Sequence, residues 1–122
     1  MPNKRLQGSW AQKFRLACRG LKAGIHGQSS FFVHFFLAAA VLATAAVLGV
    51  SRAEWCLLLL CISGVLAAEM FNSALEAMAR AVADEFNPHV ADALDIASAA
   101  VLLSALGAVL VGLMIFVSHL MG

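Results

Sequence analysis

The sequence predicts an all-α integral membrane protein, and three of its features support this prediction. Hydrophobic residues make up 62% of the 122 residues, charged residues make up 12%, and the mean hydropathy is +0.90. A soluble domain carries about 25% charged residues. Three apolar runs are each long enough to cross a bilayer, which takes about 20 helical residues. We therefore expect one small membrane domain of three spans. One subunit of this size is too small for an enclosed soluble catalytic domain or a pore. We expect the subunits to self-associate.

Residues 9–27 predict an amphipathic helix that lies in the membrane interface. In this segment Trp10 and Phe14 are interleaved with Lys13 and Arg15. Six of the eight basic residues precede the first long apolar run: Lys4, Arg5, Lys13, Arg15, Arg19 and Lys22. This asymmetry predicts a cytoplasmic N-terminus. The basic residues are also explained by attraction to anionic lipids, which leaves a direct role in phosphate binding open.

The spans are predicted from apolar runs separated by short polar segments. Trp55 suits the interface at which the second span begins, and the Asn87-Pro88 pair disfavours a continuous helix. Asp92 or Asp95 is expected to cap the N-terminus of the third span. The predicted segments follow in order along the chain: spans at 31–50 and 55–82, a cytoplasmic loop at 83–95, and a third span at 96–120.

The second span carries polar residues that hydrocarbon does not favour. At about 100° per residue, Asn72 lies near 300° and Glu76 near 340° from Glu69, so the three share one narrow face, here called the polar strip. An acid at the bilayer centre costs at least roughly 2.5–3.5 kcal/mol, which makes such a residue a candidate functional group. Two simpler explanations stay open: a polar contact between helices, and an ion pair of Glu76 with Arg80 one turn later.

The polar strip suits phosphoryl transfer. Carboxylate and amide oxygens are ligands that Mg²⁺ prefers, and Mg²⁺ commonly sits between protein carboxylates and nucleotide phosphates. Phosphoryl transfer needs mainly positioning and charge neutralisation, so a small chain without a P-loop is sufficient if subunits pool their groups.

The segment from Ala68 to Glu76 resembles the E-x-x-N-[ST]-A-[IL]-E signature of the small prokaryotic diacylglycerol kinases, a family that includes the undecaprenol kinases. Residues 19–23 are similar to that family's surface helix, and residues 95–102 to the start of its third span. The resemblance covers nearly the whole chain. It implies a homotrimer in the bacterial inner membrane, with composite active sites between subunits and ATP-Mg²⁺ phosphorylating a lipid alcohol, either diacylglycerol or undecaprenol.

The resemblance also implies a role for individual residues. Glu69 would be the catalytic base for the lipid hydroxyl, and Glu76 a metal ligand together with Gln28. The residues implied at the ATP site are Asn72, Glu76, Glu85, Asn87 and Asp95. Those implied near the lipid substrate are Ser98, Lys22 and Trp55. A plain helix-capping role remains an alternative for Asp95.

Two positions depart from the family's pattern. Gln28 stands where a second metal-binding glutamate is usual, and Leu94 where a lysine precedes the aspartate of the third span. Arg80 stands where an acid is frequent, and we hypothesise that it supplies the missing positive charge. Gln28 and Leu94 favour a second interpretation, a non-catalytic trimer that binds lipid or nucleotide as a regulator. A small transporter is a distant third interpretation, because the polar strip does not extend across the whole bilayer.

Overall fold

The computed structural model describes residues 8–26, 29–82 and 84–122. Within these residues the chain forms four helices: α1 (Trp10–Ile25), α2 (Ser29–Leu48), α3 (Arg52–Val82) and α4 (Pro88–Met121). The last three are each long and apolar enough to cross a membrane. The predicted fold, an N-terminal surface helix followed by three spans, is confirmed.

Helix α1 is amphipathic and leaves large apolar side chains uncovered. The Ser9 hydroxyl caps its N-terminus by accepting the backbone N–H of Gln12 at 3.3 Å. Trp10 and Phe14 are exposed, and the Lys13 ammonium lies 4.9 Å from the centre of the Trp10 ring. Exposed aromatic residues beside basic ones are typical of a helix in the headgroup region of a membrane.

A tight turn joins α2 to α3. Gly49 adopts a left-handed conformation with φ of 66°, which ends α2 at little steric cost. Ser51 and Glu54 then form a reciprocal cap: the Ser51 hydroxyl accepts the Glu54 N–H at 3.2 Å, and the Glu54 carboxylate accepts the Ser51 N–H at 2.9 Å. This capping box starts α3 at Arg52, slightly before Trp55, where the apolar run begins.

Helix α4 begins at Pro88, eight residues before the predicted start of the third span. The Asn87 side chain caps it by accepting the His89 N–H at 2.9 Å. Proline is favoured in the first helical turn, where its missing N–H is not needed. The dipeptide that predicts a break therefore starts α4, and α3 already ends at Val82, five residues before Asn87. Asp92 and Asp95 lie inside the helix and do not cap it, contrary to the sequence-based expectation.

The three spans pack around a small core near the turn between α2 and α3. Its buried members are Ala45, Val50, Leu58 and Ile115, and α3 makes its most extensive contact with α4. Most large apolar side chains of the spans, such as Phe32 and Phe36, remain exposed. An outer surface of this kind requires lipid or other subunits to cover it.

The length of α3 sets the depth of its polar residues. With a rise of about 1.5 Å per residue, Glu69 lies about 21 Å along the helix from Trp55, and Glu76 about 32 Å. The hydrocarbon core of a bilayer is about 30 Å thick. If Trp55 lies at one interface, Glu69 is inside the hydrocarbon and Glu76 reaches the opposite surface.

Candidate functional site

Glu69 is the most buried acid in the described part of the chain, with only 5% of its surface exposed. Its Oε1 lies 3.1 Å from Nε2 of His34 on α2. The His34 side chain is 19% exposed and that of Glu69 is 7% exposed. A ring N–H at Nε2 donates to the carboxylate, so the histidine fixes the orientation of a carboxylate held away from water.

Asn72 and Glu76 form a second contact along the polar strip. The Asn72 amide nitrogen donates to Oε1 of Glu76 at 3.1 Å. Among the described residues, the carbonyl oxygen of Asn72 is buried and meets no hydrogen-bond partner. The contact therefore orients the Glu76 carboxylate, and the amide oxygen of Asn72 is enclosed by protein.

The pairing of His34 with Glu69 was not anticipated from the sequence, because the two residues are 35 positions apart. A signal was present in their distances from the turn between α2 and α3. His34 precedes Ser51 by 17 residues, and Glu69 follows it by 18. In two antiparallel helices, residues equally far from the turn lie at the same depth.

A second pair of histidine and glutamate lies at the other end of the bundle, between α3 and α4. Nε2 of His119 lies 2.8 Å from Oε1 of Glu54, which joins the end of α4 to the start of α3. Sequence analysis assigned neither residue a role. Because Glu54 also belongs to the cap at Ser51, this contact holds together the turn and both spans.

The remaining predicted site residues lie on several elements. Glu85 and Asn87 are exposed in the connection between α3 and α4, and Asp95 and Ser98 are exposed on α4. Asn87 has an observed role as the cap of α4.

Two predicted lipid-site residues lie apart from one another. Lys22 is exposed on α1, which contacts α3. Trp55 packs against the core near the α2–α3 turn, about 21 Å along α3 from Glu69. Within a single subunit, Glu69 contacts His34 and Asn72 contacts Glu76. Trp55 lies far from the polar strip in the same subunit.

The predicted metal site rests on Glu76 and Gln28. Gln28 lies outside the described residues. Within the described ranges, no group of three His, Cys, Asp or Glu side chains is placed to hold a metal ion. The Glu76 carboxylate, which Asn72 orients, nevertheless fits Mg²⁺, which takes one or two protein carboxylates and fills its other positions with water and phosphate.

Two cavities adjoin this site, and a third lies near Leu94. An apolar groove of about 290 Å³ runs between α2, α3 and α4, with His34 among its lining residues. A larger cavity of about 670 Å³ lies between α1 and α3 and carries Arg19 and Arg80. Leu94 lines a separate cavity of about 220 Å³ between α3 and α4, together with Leu75 and Val82.

A surface helix, three spans and an oriented acid at membrane depth define a small polytopic membrane protein with a site inside its helix bundle. The model of the prokaryotic diacylglycerol kinase family matches residues 15–116, and the chain belongs to this family of lipid kinases. It is 30% identical over 109 residues to the undecaprenol kinase of Bacillus subtilis (strain 168), with 89% of each chain covered. No solved structure matches the chain.

Proposed function

We propose that this protein transfers the γ-phosphate of ATP to the hydroxyl of a membrane lipid alcohol. The observation that carries the proposal is the buried Glu69 carboxylate, oriented by His34 and placed one to two helical turns from the contact of Asn72 with Glu76. Acids are expensive in hydrocarbon, and a folded chain retains them where they bind or react.

Glu69 accepts the proton in the proposed reaction. The lipid hydroxyl oxygen attacks the γ-phosphorus, the bond from that phosphorus to the bridging oxygen breaks, and ADP leaves with the bond's electron pair. The hydroxyl proton passes to the Glu69 carboxylate, which the contact with His34 holds in one orientation. A positioned acid or base of this kind contributes about 10²–10⁴-fold to a rate.

Glu76 and Asn72 serve the nucleotide side of the proposed site. They lie toward the end of α3, where the helix leaves the hydrocarbon, so a water-soluble nucleotide reaches them from the membrane surface. Bound Mg²⁺ would neutralise phosphate charge there. The Asn72 contact prepares the Glu76 carboxylate for that role by fixing its direction.

The apolar groove supports a lipid substrate with a long hydrocarbon chain. It is lined almost wholly by aliphatic side chains of the three spans, and His34 places one part of it next to Glu69. A chain lying in the groove would direct its hydroxyl end at the carboxylate. By analogy with the relative named undecaprenol kinase, a polyprenol is the first candidate substrate, and diacylglycerol is the second.

The proposal includes a homotrimer in the bacterial inner membrane with the N-terminus in the cytoplasm. Apolar side chains cover the outside of the spans, and Glu85 and Asp95 lie on other segments than the polar strip. Association of subunits would bury these apolar side chains. It would also bring Glu85 and Asp95 toward the polar strip of a neighbouring subunit. The basic N-terminal region supports the orientation.

Phosphate transfer by the purified protein tests this function. Labelled ATP is offered in mixed micelles with undecaprenol or diacylglycerol as the acceptor. Glu69→Gln and Glu76→Gln keep the side-chain size and remove the charge, and each is expected to abolish transfer. Ser63→Ala is the control, because that hydroxyl donates to the Leu60 carbonyl of its own helix. Full activity in both glutamine variants would reject the proposed site.

A non-catalytic regulator on the same scaffold is the second candidate, and Leu94 is the observation that favours it. Leu94 lines an apolar cavity and offers no charge to a phosphate. Nucleotide or lipid binding by folded wild-type protein, with no transfer to either alcohol, would favour this candidate over the kinase.

A further inference from the structure

The cavity between α1 and α3 has a basic rim. Its charged or titratable lining side chains are Arg19 and His26 from the α1 side and Arg80 from α3, and all three are exposed. Among the described residues, no acid lines it. Gly20 and Gly24 lie in its α1 wall. A Cβ at Gly20 would meet no atom within 4 Å, whereas one at Gly24 would meet the Met70 sulfur at 2.7 Å. The cavity is therefore open to water and positive at its mouth.

A buried hydroxyl forms part of the inner wall. Ser73 is 7% exposed and lines the same cavity. In the described part of the chain its Oγ is buried and has no hydrogen-bond partner. Most buried hydroxyls find such a partner. Even the more exposed hydroxyls of Thr44 and Ser104 donate here to the carbonyl four residues earlier. The unpartnered Ser73 hydroxyl calls for a ligand atom or water in the cavity.

The cavity that Arg80 lines and the cavity that Leu94 lines lie on different faces of α3. From Glu69, Ser73 lies at about 40° and Arg80 at about 20° around the helix, beside the polar strip. The side chains of α3 that face Leu94, such as Leu75 and Val82, lie at about 240° and 220°. Arg80 therefore does not occupy the place of Leu94 within one chain. It contributes its charge on the α1 side of the strip.

We propose that the α1–α3 cavity binds a phosphate group, with Arg19 and Arg80 neutralising its charge and Ser73 donating a hydrogen bond. The inference rests on the proposed kinase function, which supplies two sources of this chemistry: the polyphosphate of the nucleotide and the phosphate of the lipid product. Arginine suits the role because its fork of N–H groups binds phosphate in pairs.

Binding without turnover tests the cavity separately from the kinase reaction. The full-length protein in neutral-lipid nanodiscs is titrated by calorimetry with pyrophosphate and, in a second arm, with dihexanoyl phosphatidic acid. The test variants are Arg19→Gln, Arg80→Gln and Ser73→Ala. The matched controls are Arg15→Gln, an exposed α1 arginine outside the cavity lining, and Ser63→Ala. Arg19→Lys and Arg80→Lys retain charge and serve where a glutamine variant does not fold.

Each arginine variant is expected to weaken binding about tenfold or more, as for a hydrogen bond between charged groups. Ser73→Ala is expected to weaken it about threefold. The controls should change the affinity less than twofold, and each lysine variant should lose less than its glutamine counterpart. Losses confined to pyrophosphate identify the nucleotide as the source, and losses confined to the lipid identify the product.

The proposal is overturned if the cavity variants fold as the wild type does and bind both probes as tightly as the controls. Equal loss in glutamine and control variants would also overturn it, since general surface charge would then account for the binding. Failure of the kinase proposal gives a different result: phosphate probes bind in the cavity, but no phosphate passes from ATP to a lipid alcohol.

Discussion

Nε2 of His34 lies 3.1 Å from Oε1 of Glu69, and this contact joins α2 to α3 within the two helices' apolar, membrane-length segments. It places a titratable ring beside the carboxylate proposed to receive the substrate proton. The ring also lines the apolar groove. The histidine is therefore a positioning residue for Glu69, on the side from which a lipid chain would approach.

Replacing His34 by leucine should slow phosphate transfer about 10- to 100-fold. This estimate follows from the loss of a hydrogen bond to a charged group, worth about 1.5–3 kcal/mol. The nucleotide KM should stay within twofold of the wild type, because Asn72 orients Glu76 by a hydrogen bond in which His34 takes no part. Steady-state kinetics with the lipid alcohol in mixed micelles measure both quantities.

His34→Gln is the matched variant, since its side-chain amide keeps an N–H donor for the carboxylate. We expect it to recover much of the rate lost in His34→Leu. A leucine variant with wild-type kcat would show that Glu69 needs no orientation from α2. A fall in nucleotide affinity with unchanged kcat would contradict the positioning role.

The architecture was predictable because hydrocarbon leaves few alternatives for the backbone. Only helices satisfy every N–H and C=O within one segment, so each long apolar run had to be a helix. The helix boundaries were less accessible. Asn87-Pro88 indicates a break, but the same dipeptide is also a strong N-terminal signal. The apolar pattern alone did not show that α4 begins at Pro88, eight residues before the predicted span.

The site was predictable within one helix and not between helices. Local spacing put Glu69, Asn72 and Glu76 on one face, and the contact of Asn72 with Glu76 agrees with that spacing. The contact with His34 depends on the register of two helices, which the length of the turn at Ser51 determines. Hydrophobic pattern carries no information on that register when a helix is apolar all round, as α2 is.

Asn87→Ala should destabilise the protein by about 1 kcal/mol, because it removes the side chain that caps α4. Asn87→Asp should retain most of the stability, since aspartate caps helices as well as asparagine does. Thermal unfolding in detergent micelles measures the difference. If Asn87 also contacts the nucleotide, as the family resemblance implies, the aspartate variant will keep stability and lose nucleotide affinity.

The turn between α2 and α3 offers a second test of stability. Ser51→Ala removes the hydroxyl that accepts the Glu54 N–H and should cost about 0.5–2 kcal/mol. Ser51→Thr, which keeps a hydroxyl, is the control. His119→Ala should lower the unfolding temperature further, since it releases the end of α4 from Glu54. An unchanged unfolding temperature in both alanine variants would mean that the core around Leu58 alone stabilises the end of the bundle at the α2–α3 turn.

Leu94→Lys should fail to restore tight nucleotide binding in this chain, although a lysine is usual at this position in the family that the sequence resembles. Leu94 is half-buried and lines an apolar cavity with Leu75 and Val82. Lysine there must extend its ammonium toward water and loses part of the packing, at a cost of about 1 kcal/mol in stability. Leu94→Met keeps the volume and should cost less. Calorimetric titration with a non-hydrolysable ATP analogue measures the affinity. A tenfold gain from lysine would instead show that the nucleotide phosphates lie on the α4 side of the polar strip, away from Arg80.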